Sequence, residues 1–323
     1  YTGNGGTKAV TGVGFSPSFV WIKDREILGA GNYNSAVYDV QRGALKHIRT
    51  ENTNEEGNQS DSLTSFDSDG FTLGSHAGQN TSGESHVAWC WNMGDTTATN
   101  TTGTITSTVR ASTTYGQSIV KYTGTGSNAT VGHGLSSAPD MIICKSDTNG
   151  YSWPVYHSGL ATIYSDTTHV LTLDADYVSG VETNKFQGTA PTNALFSVGN
   201  HGTNYSSAMQ IAYCFHSVEG YSKFGSYSGT DSSGVVVTTG FKPGYVMIKC
   251  TNLTENWIVI DNIRDTSSPY SKHLSPNVVD AEASSSAFDI LFTDTGFTLN
   301  GTDDAINGHG SGTGTYVYAA FAD

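Results

Sequence analysis

Hydrophobic residues along this chain gather in short runs separated by Gly, Ser, Thr and Asn, and they nowhere recur at the three-to-four-residue interval of an amphipathic helix. The runs read as strands. In the N-terminal third they fall at Ala9–Phe15, Phe19–Lys23, Ala36–Val40, Lys46–Thr50, a hairpin of Leu63–Asp67 and Phe71–Leu73 turning at Ser68-Asp69-Gly70, and His86–Trp91. Short strands at this density predict an all-β fold of the sandwich or jelly-roll kind.

The pattern is then repeated twice. Each copy opens on an aromatic turn, Tyr1-Thr2-Gly3, Tyr122-Thr123-Gly124 and Tyr227-Ser228-Gly229. A proline, Pro17, Pro139 or Pro243, follows after 16, 17 and 16 residues and leads into Phe19-Val20-Trp21-Ile22-Lys23, Met141-Ile142-Ile143-Cys144-Lys145 and Tyr245-Val246-Met247-Ile248-Lys249. Each copy closes on an apolar strand ending at Trp91, Phe215 or Phe321. A unit of about a hundred residues can enclose its own core, so the reading is three tandem homologous β-sandwich domains. Their bounds are 1–95, 117–221 and 222–323, with a Thr/Ser-rich linker at 96–116. That linker has little to bury and is expected to be an extended connector. Copies two and three carry an apolar lead-in before the tyrosine, Ser118-Ile119-Val120-Lys121 and Lys223-Phe224-Gly225-Ser226, whereas copy one starts at the tyrosine itself. The difference predicts a piece of a longer polypeptide.

Composition sharpens the class. The 38 glycines supply the positive φ that tight hairpins need, which supports short strands joined by turns. A formal charge of −14, with 15 Lys and Arg spread along the chain, argues against nucleic acid and anionic membrane as partners. No apolar stretch approaches the roughly 20 residues that a membrane-spanning helix needs, so no membrane insertion is expected. Cys90 and Cys214 lie in closing strands, and Cys144 and Cys250 end the strands after the proline. Copies that lack the matching cysteine carry Asp24 or Ala320, so buried free thiols are expected rather than a disulfide framework.

The phrases Ser65-Phe66-Asp67-Ser68-Asp69-Gly70-Phe71-Thr72-Leu73-Gly74, Val131-Gly132-His133-Gly134-Leu135-Ser136-Ser137-Ala138-Pro139-Asp140 and Val218-Glu219-Gly220-Tyr221-Ser222-Lys223-Phe224-Gly225-Ser226-Tyr227 resemble a β-rich repeat family of phage tail-fibre-like virion proteins, often found downstream of a laminin-G-like domain. The resemblance runs over essentially the whole chain. It implies a virion structural or host-recognition role and brings no catalytic residues.

Candidate chemistry is sparse. His47, His169 and His273 each stand 30 residues after the proline, and three imidazoles meeting on a threefold axis would make a metal site. Alternation with apolar neighbours accounts for them as half-buried strand residues, and no metal or other cofactor is expected. Trp153 and Trp257 each follow the proline by 14 residues and a polar loop. An exposed tryptophan beside amides and hydroxyls is how lectins stack a sugar ring, so Tyr151, Trp153, Asn256 and Trp257 are the candidate binding residues, against a core placement of both indoles. Asp39 with Arg42 and Asp261 with Arg264 repeat a spacing best explained by an ion pair locking a loop. Asp67-Ser68-Asp69-Gly70 lacks the closing glutamate of a calcium loop. Gly124-Thr125-Gly126-Ser127-Asn128-Ala129 imitates a dinucleotide fingerprint but is followed by β-type sequence. Asp174 and Asp176 are not set apart as glycosidase acids by any motif. Seven glycosylation sequons, at Asn58, Asn80, Asn100, Asn128, Asn204, Asn252 and Asn300, follow from composition.

The expectation is a non-enzymatic extracellular virion protein: a tail fibre, spike or decoration. Other virion proteins and host-surface glycan would be its partners, and it would be a homo-oligomer. A bacterial surface adhesin or filament protein is the alternative, and a glycan depolymerase the second.

Overall fold

The strand after each proline carries four consecutive apolar residues because both of its faces are buried there. The computed structural model describes residues 1–26, 35–308, 310 and 313–323. In it, Phe19 and Trp21 of Phe19–Asp24 enter one core while Val20 and Ile22 enter another. Met141 and Ile143 are divided in the same way from Ile142 and Cys144, and Tyr245 and Met247 from Val246 and Ile248. The period-two alternation of a strand is present but hidden, since neither face meets water.

The fold is all-β, and its sheets follow the repeats. In each copy the strand after the proline lies between the closing strand and a return strand: Phe19–Asp24 between His86–Trp91 and Ala36–Asp39, Met141–Ser146 between Met209–Phe215 and Pro154–His157, and Pro243–Cys250 between Thr315–Ala322 and Ile258–Asp261. A smaller sheet covers the outer face, for example Lys8–Thr11 with Gly70–Leu73 and Leu63–Asp67, or Val235–Thr238 with Gly296–Leu299 and Ile290–Thr293. Each outer core belongs to one copy. The largest core belongs to all three, because the inner faces of the main sheets meet there. Phe19 packs on Tyr213 at 4.6 Å between ring centroids, Trp91 on Tyr245 at 5.8 Å, and Phe215 on Phe321 at 6.2 Å. A void of about 30 Å³ remains among these side chains, walled by apolar groups that offer a water no partner.

The repeated turn has a steric reason. The hydroxyls of Tyr1, Tyr122 and Tyr227 donate to the carbonyls of Gln79, Thr203 and Ile306. The next residue, Asn80, Asn204 or Asn307, accepts from the backbone N–H of Asn4, Thr125 or Thr230. A Cβ on Gly3 or Gly124 would lie 2.0 Å from a carbonyl oxygen of that loop, so only glycine lets the two segments touch.

Two expectations need correction. The 96–116 segment is no bare connector: Ser107–Ser112 pairs onto Gln117–Thr123 and Thr97–Asn100 onto Ser107–Ser112, which extends the main sheet of copy two by two strands. Ile105 and Val109 are buried in that copy's core, which gives the segment the apolar anchor its composition seemed to lack. The first strand ends at Thr11 rather than Phe15, because Gly12 and Gly14 take φ of 83°. The longest described helix, Ser158–Tyr164, has seven residues.

Candidate functional site

Polar side chains that would ordinarily mark a site are used to join the copies. Lys23, Lys145 and Lys249, each six residues past the proline, have no exposed surface. Lys23 Nζ donates to Val278 O of copy three (2.8 Å), Lys145 Nζ to Thr53 O of copy one (2.8 Å), and Lys249 Nζ to Asp176 O of copy two (3.1 Å). Backbone bonds return the contact: Glu282 N to Arg25 O, Glu56 N to Asp147 O, and Ser179 N to Thr251 O. Copy two therefore leans on copy one, one on three, and three on two, and the three interfaces close a ring.

The Asp-x-x-Arg pairs serve the same interfaces. Asp39 holds Arg42 Nε at 2.5 Å and receives the Tyr213 hydroxyl of copy two at 2.8 Å. Asp261 holds Arg264 Nε at 2.6 Å and receives the Trp89 indole N–H of copy one at 3.1 Å. His157 fills the slot in copy two, where the partner position is Ala319 and offers no side-chain donor. Its Nδ1 accepts from Gly159 N, which leaves Nε2 to donate to Tyr318 O at 3.1 Å. Burial pushes this imidazole down to about 4.

The tryptophans are not open platforms. Trp153 is 1% exposed and Trp257 2%. Their indole N–H groups cross to the neighbouring copy, Trp153 to Arg49 O (3.1 Å) and Trp257 to Thr172 O (2.9 Å). With both faces enclosed, neither ring can stack a sugar. Asn256 is half-buried and accepts from Asn277 Nδ2, whose own Oδ1 holds Trp257 N. Tyr151 alone of the four stands out, at 40% exposure. Its ring stacks on Tyr205 at 3.8 Å and 17°, and His201 Nε2 lies 3.2 Å from the Tyr205 hydroxyl. This aromatic platform, fixed from below by Lys145 Nζ on Tyr151 O, is the candidate contact surface. Tyr205 and His201 were missed in the sequence. The one signal for them was a His and a Tyr in a loop otherwise made of Gly, Thr, Asn and Ser.

Other candidates have local explanations. His169 stacks on Tyr164 and bonds Asp166, His273 stacks on Phe288, and burial pushes His47 down to about 4. Among the described residues no group of three or more His, Cys, Asp or Glu could hold a metal ion. Asp69 accepts the N–H groups of Gly12 and Gly14, which makes Asp67–Gly70 a hairpin turn tied to its neighbour. Asp174 Oδ1 receives Trp153 N, and Asp176 offers its carbonyl to Lys249. Asn80 and Asn204 are fully buried, so those sequons are closed to a glycan. The cysteines are free thiols; three are buried and Cys90 is half-buried.

Removing one lysine clamp tests the ring. Lys145→Met removes the buried ammonium that the carbonyls of Thr53 and Tyr151 accept from, and is expected to lower unfolding free energy by about 1.5–3 kcal/mol in urea denaturation. An unchanged midpoint would count against the clamp.

The same groups set a pH dependence. Burial pushes all three lysines down to about 8, while an unfolded lysine keeps its proton to about 10.4. Between those values the unfolded chain binds more protons, so stability rises with pH. Buried tyrosines such as Tyr213 and Tyr245, held above their ordinary range by burial, reverse the slope above about 10. On the acid side stability falls below about 6.5, where unfolded histidine charges and folded His157 does not. Tm should climb from about pH 7.5 to 9.5, and less steeply in Lys145→Met; a flat profile in the parent protein would contradict buried ammonium groups.

A family model, described as a domain of unknown function (DUF7483), matches residues 1–323. No curated protein and no solved structure matches the chain.

Proposed function

Because the chain belongs to the DUF7483 family from end to end, we propose one function for the ring as a unit: a non-enzymatic structural protein of a phage virion, part of a tail fibre, spike or decoration, that touches host-surface glycan through its loops. The observation that supports this reading is the closed set of buried lysine clamps, which ties the three copies to one another and leaves their buried ammonium groups serving cohesion. The virion context comes from the sequence resemblance. A building block of this kind works through shape and copy number: weak contacts at each platform add up on a particle that carries many of them.

The test has two arms. Mass spectrometry of purified virions should find the protein as a stoichiometric component, and its absence there would remove the virion assignment. In a glycan array and host-cell binding assay, Tyr151→Ala is expected to weaken binding about two- to tenfold, the worth of one aromatic contact. Full binding by the folded variant would exclude the platform, and turnover of host polysaccharide would replace this reading with a depolymerase.

A further inference from the structure

Copy three holds a polar cavity of about 170 Å³ that neither the lysine clamps nor the Tyr151 platform uses. Ile258 closes its buried floor, and Asp280 stands exposed at its mouth. Phe288, with the His273 ring stacked on it at 3.8 Å, supplies an aromatic side. Glu255, Asn256 and Ser275 bring further polar groups to the lining. The neighbouring copies hold these walls in place. Glu255 N donates to Asp176 O of copy two at 3.0 Å, and Lys249 Nζ donates to Glu255 O at 2.8 Å. Around the mouth, Lys23 of copy one holds Val278 O, and Arg25 forks onto the Glu282 carboxylate. A site fixed in this way needs little ordering when a ligand enters.

The hydrogen-bonding capacity of the lining is of mixed sign. Asn256 Oδ1 accepts from Asn277 Nδ2 at 2.7 Å, so its own amide N–H groups are left to donate. His273 Nδ1 donates to Ser271 O at 3.2 Å, so Nε2 is left to accept. Among the described residues, the Ser275 hydroxyl and the carboxylates of Glu255 and Asp280 make no hydrogen bond or ion pair. Donors and acceptors side by side suit groups that both give and take hydrogen bonds, as sugar hydroxyls do. Burial, and then Asp303 and Asp304, push the Glu255 carboxyl up, so the cavity disfavours a ligand that brings an acid of its own. Its volume lies below the roughly 300 Å³ at which pockets for drug-sized ligands begin, which limits it to one ring.

We propose that this cavity binds a single non-acidic sugar residue, whose hydroxyls bond Glu255, Asn256, Ser275 and Asp280 while its apolar face lies against the His273–Phe288 pair. The site is separate from the Tyr151 platform of copy two, and the inference stands without the virion assignment.

The experiment titrates the full chain with the methyl glycosides of glucose, galactose and mannose, each beside its methyl uronide, and reads binding by saturation-transfer NMR and calorimetry. At least one neutral glycoside should bind, and its uronide at least ~10-fold more weakly, because the added carboxylate meets Glu255 and Asp280. Asp280→Ala, a change at the exposed mouth, should weaken the neutral glycoside ~10-fold, the worth of a hydrogen bond to a charged group. Glu255→Gln keeps the shape and removes a charge, so it should narrow the gap between glycoside and uronide. Binding by no neutral glycoside overturns the proposal, as does full-strength binding by folded Asp280→Ala. A uronide that binds as tightly as its glycoside overturns the selection by charge. Displacement of the glycoside by an equal concentration of ethylamine would make the cavity a cation site and overturn the sugar. Loss of binding in Tyr151→Ala, with both cavity variants binding in full, would assign the signal to the platform and likewise overturn it.

Discussion

Trp153→Ala is expected to cost about 3–5 kcal/mol of unfolding free energy, the range for deleting a fully buried tryptophan, and to lower the stability of all three copies at once. The side chain lies in the core that the copies share, Lys145 sits over its ring, and its N–H is the partner of Arg49 O in copy one. Truncation opens a cavity at the seam between copies and strands that carbonyl. Because the seam is common, urea unfolding followed by fluorescence and by circular dichroism should stay a single coincident transition, shifted to lower denaturant. Two separated transitions, or a wild-type midpoint, would contradict a shared core. The same variant decides what the tryptophan is for, since a ligand platform would lose binding while leaving stability nearly intact.

Asp39→Ala is expected to be comparably severe, about 3–5 kcal/mol, because it leaves Arg42 buried without its closest carboxylate. Asp39 also receives Tyr213 from copy two, so its loss acts across an interface. A double-mutant cycle with Tyr213→Phe isolates that part. A coupling of about 0.5–3 kcal/mol is the expected result for two groups in direct contact. Additive effects would mean that the hydrogen bond between copies contributes nothing, and that Asp39 matters through Arg42 alone.

The strands and the threefold repeat were legible because both are written in local pattern. A run such as Phe19-Val20-Trp21-Ile22 announces a strand buried on both faces, and the tyrosine, proline and closing aromatic announce the copy boundaries. Closure of the ring was not legible. Lys23, Lys145 and Lys249 stand at the same distance from each proline, but lysine is so rarely buried that its residue type gives no sign of an interface. Trp153 and Trp257 were picked out by the same repetition, which marks a required position without saying whether the requirement is a ligand or a neighbouring copy. The platform of Tyr151, Tyr205 and His201 was half-seen for the opposite reason: it occurs once, so no repeat drew attention to its second half. The 96–116 segment misled through its average composition, although Ile105 and Val109 are anchor enough to fold it onto the sheet of copy two.

The ring of interfaces has a consequence for dilution. Three separate chains arranged around the same centre would part once their concentration fell below the dissociation constant of the assembly. Here each neighbour is tethered by a connection of limited length, and a short tether holds its partner at an effective concentration on the order of millimolar, whatever the protein concentration outside. The assembly order is therefore first order in chain, and a solution of single molecules, however thin, keeps its threefold shape.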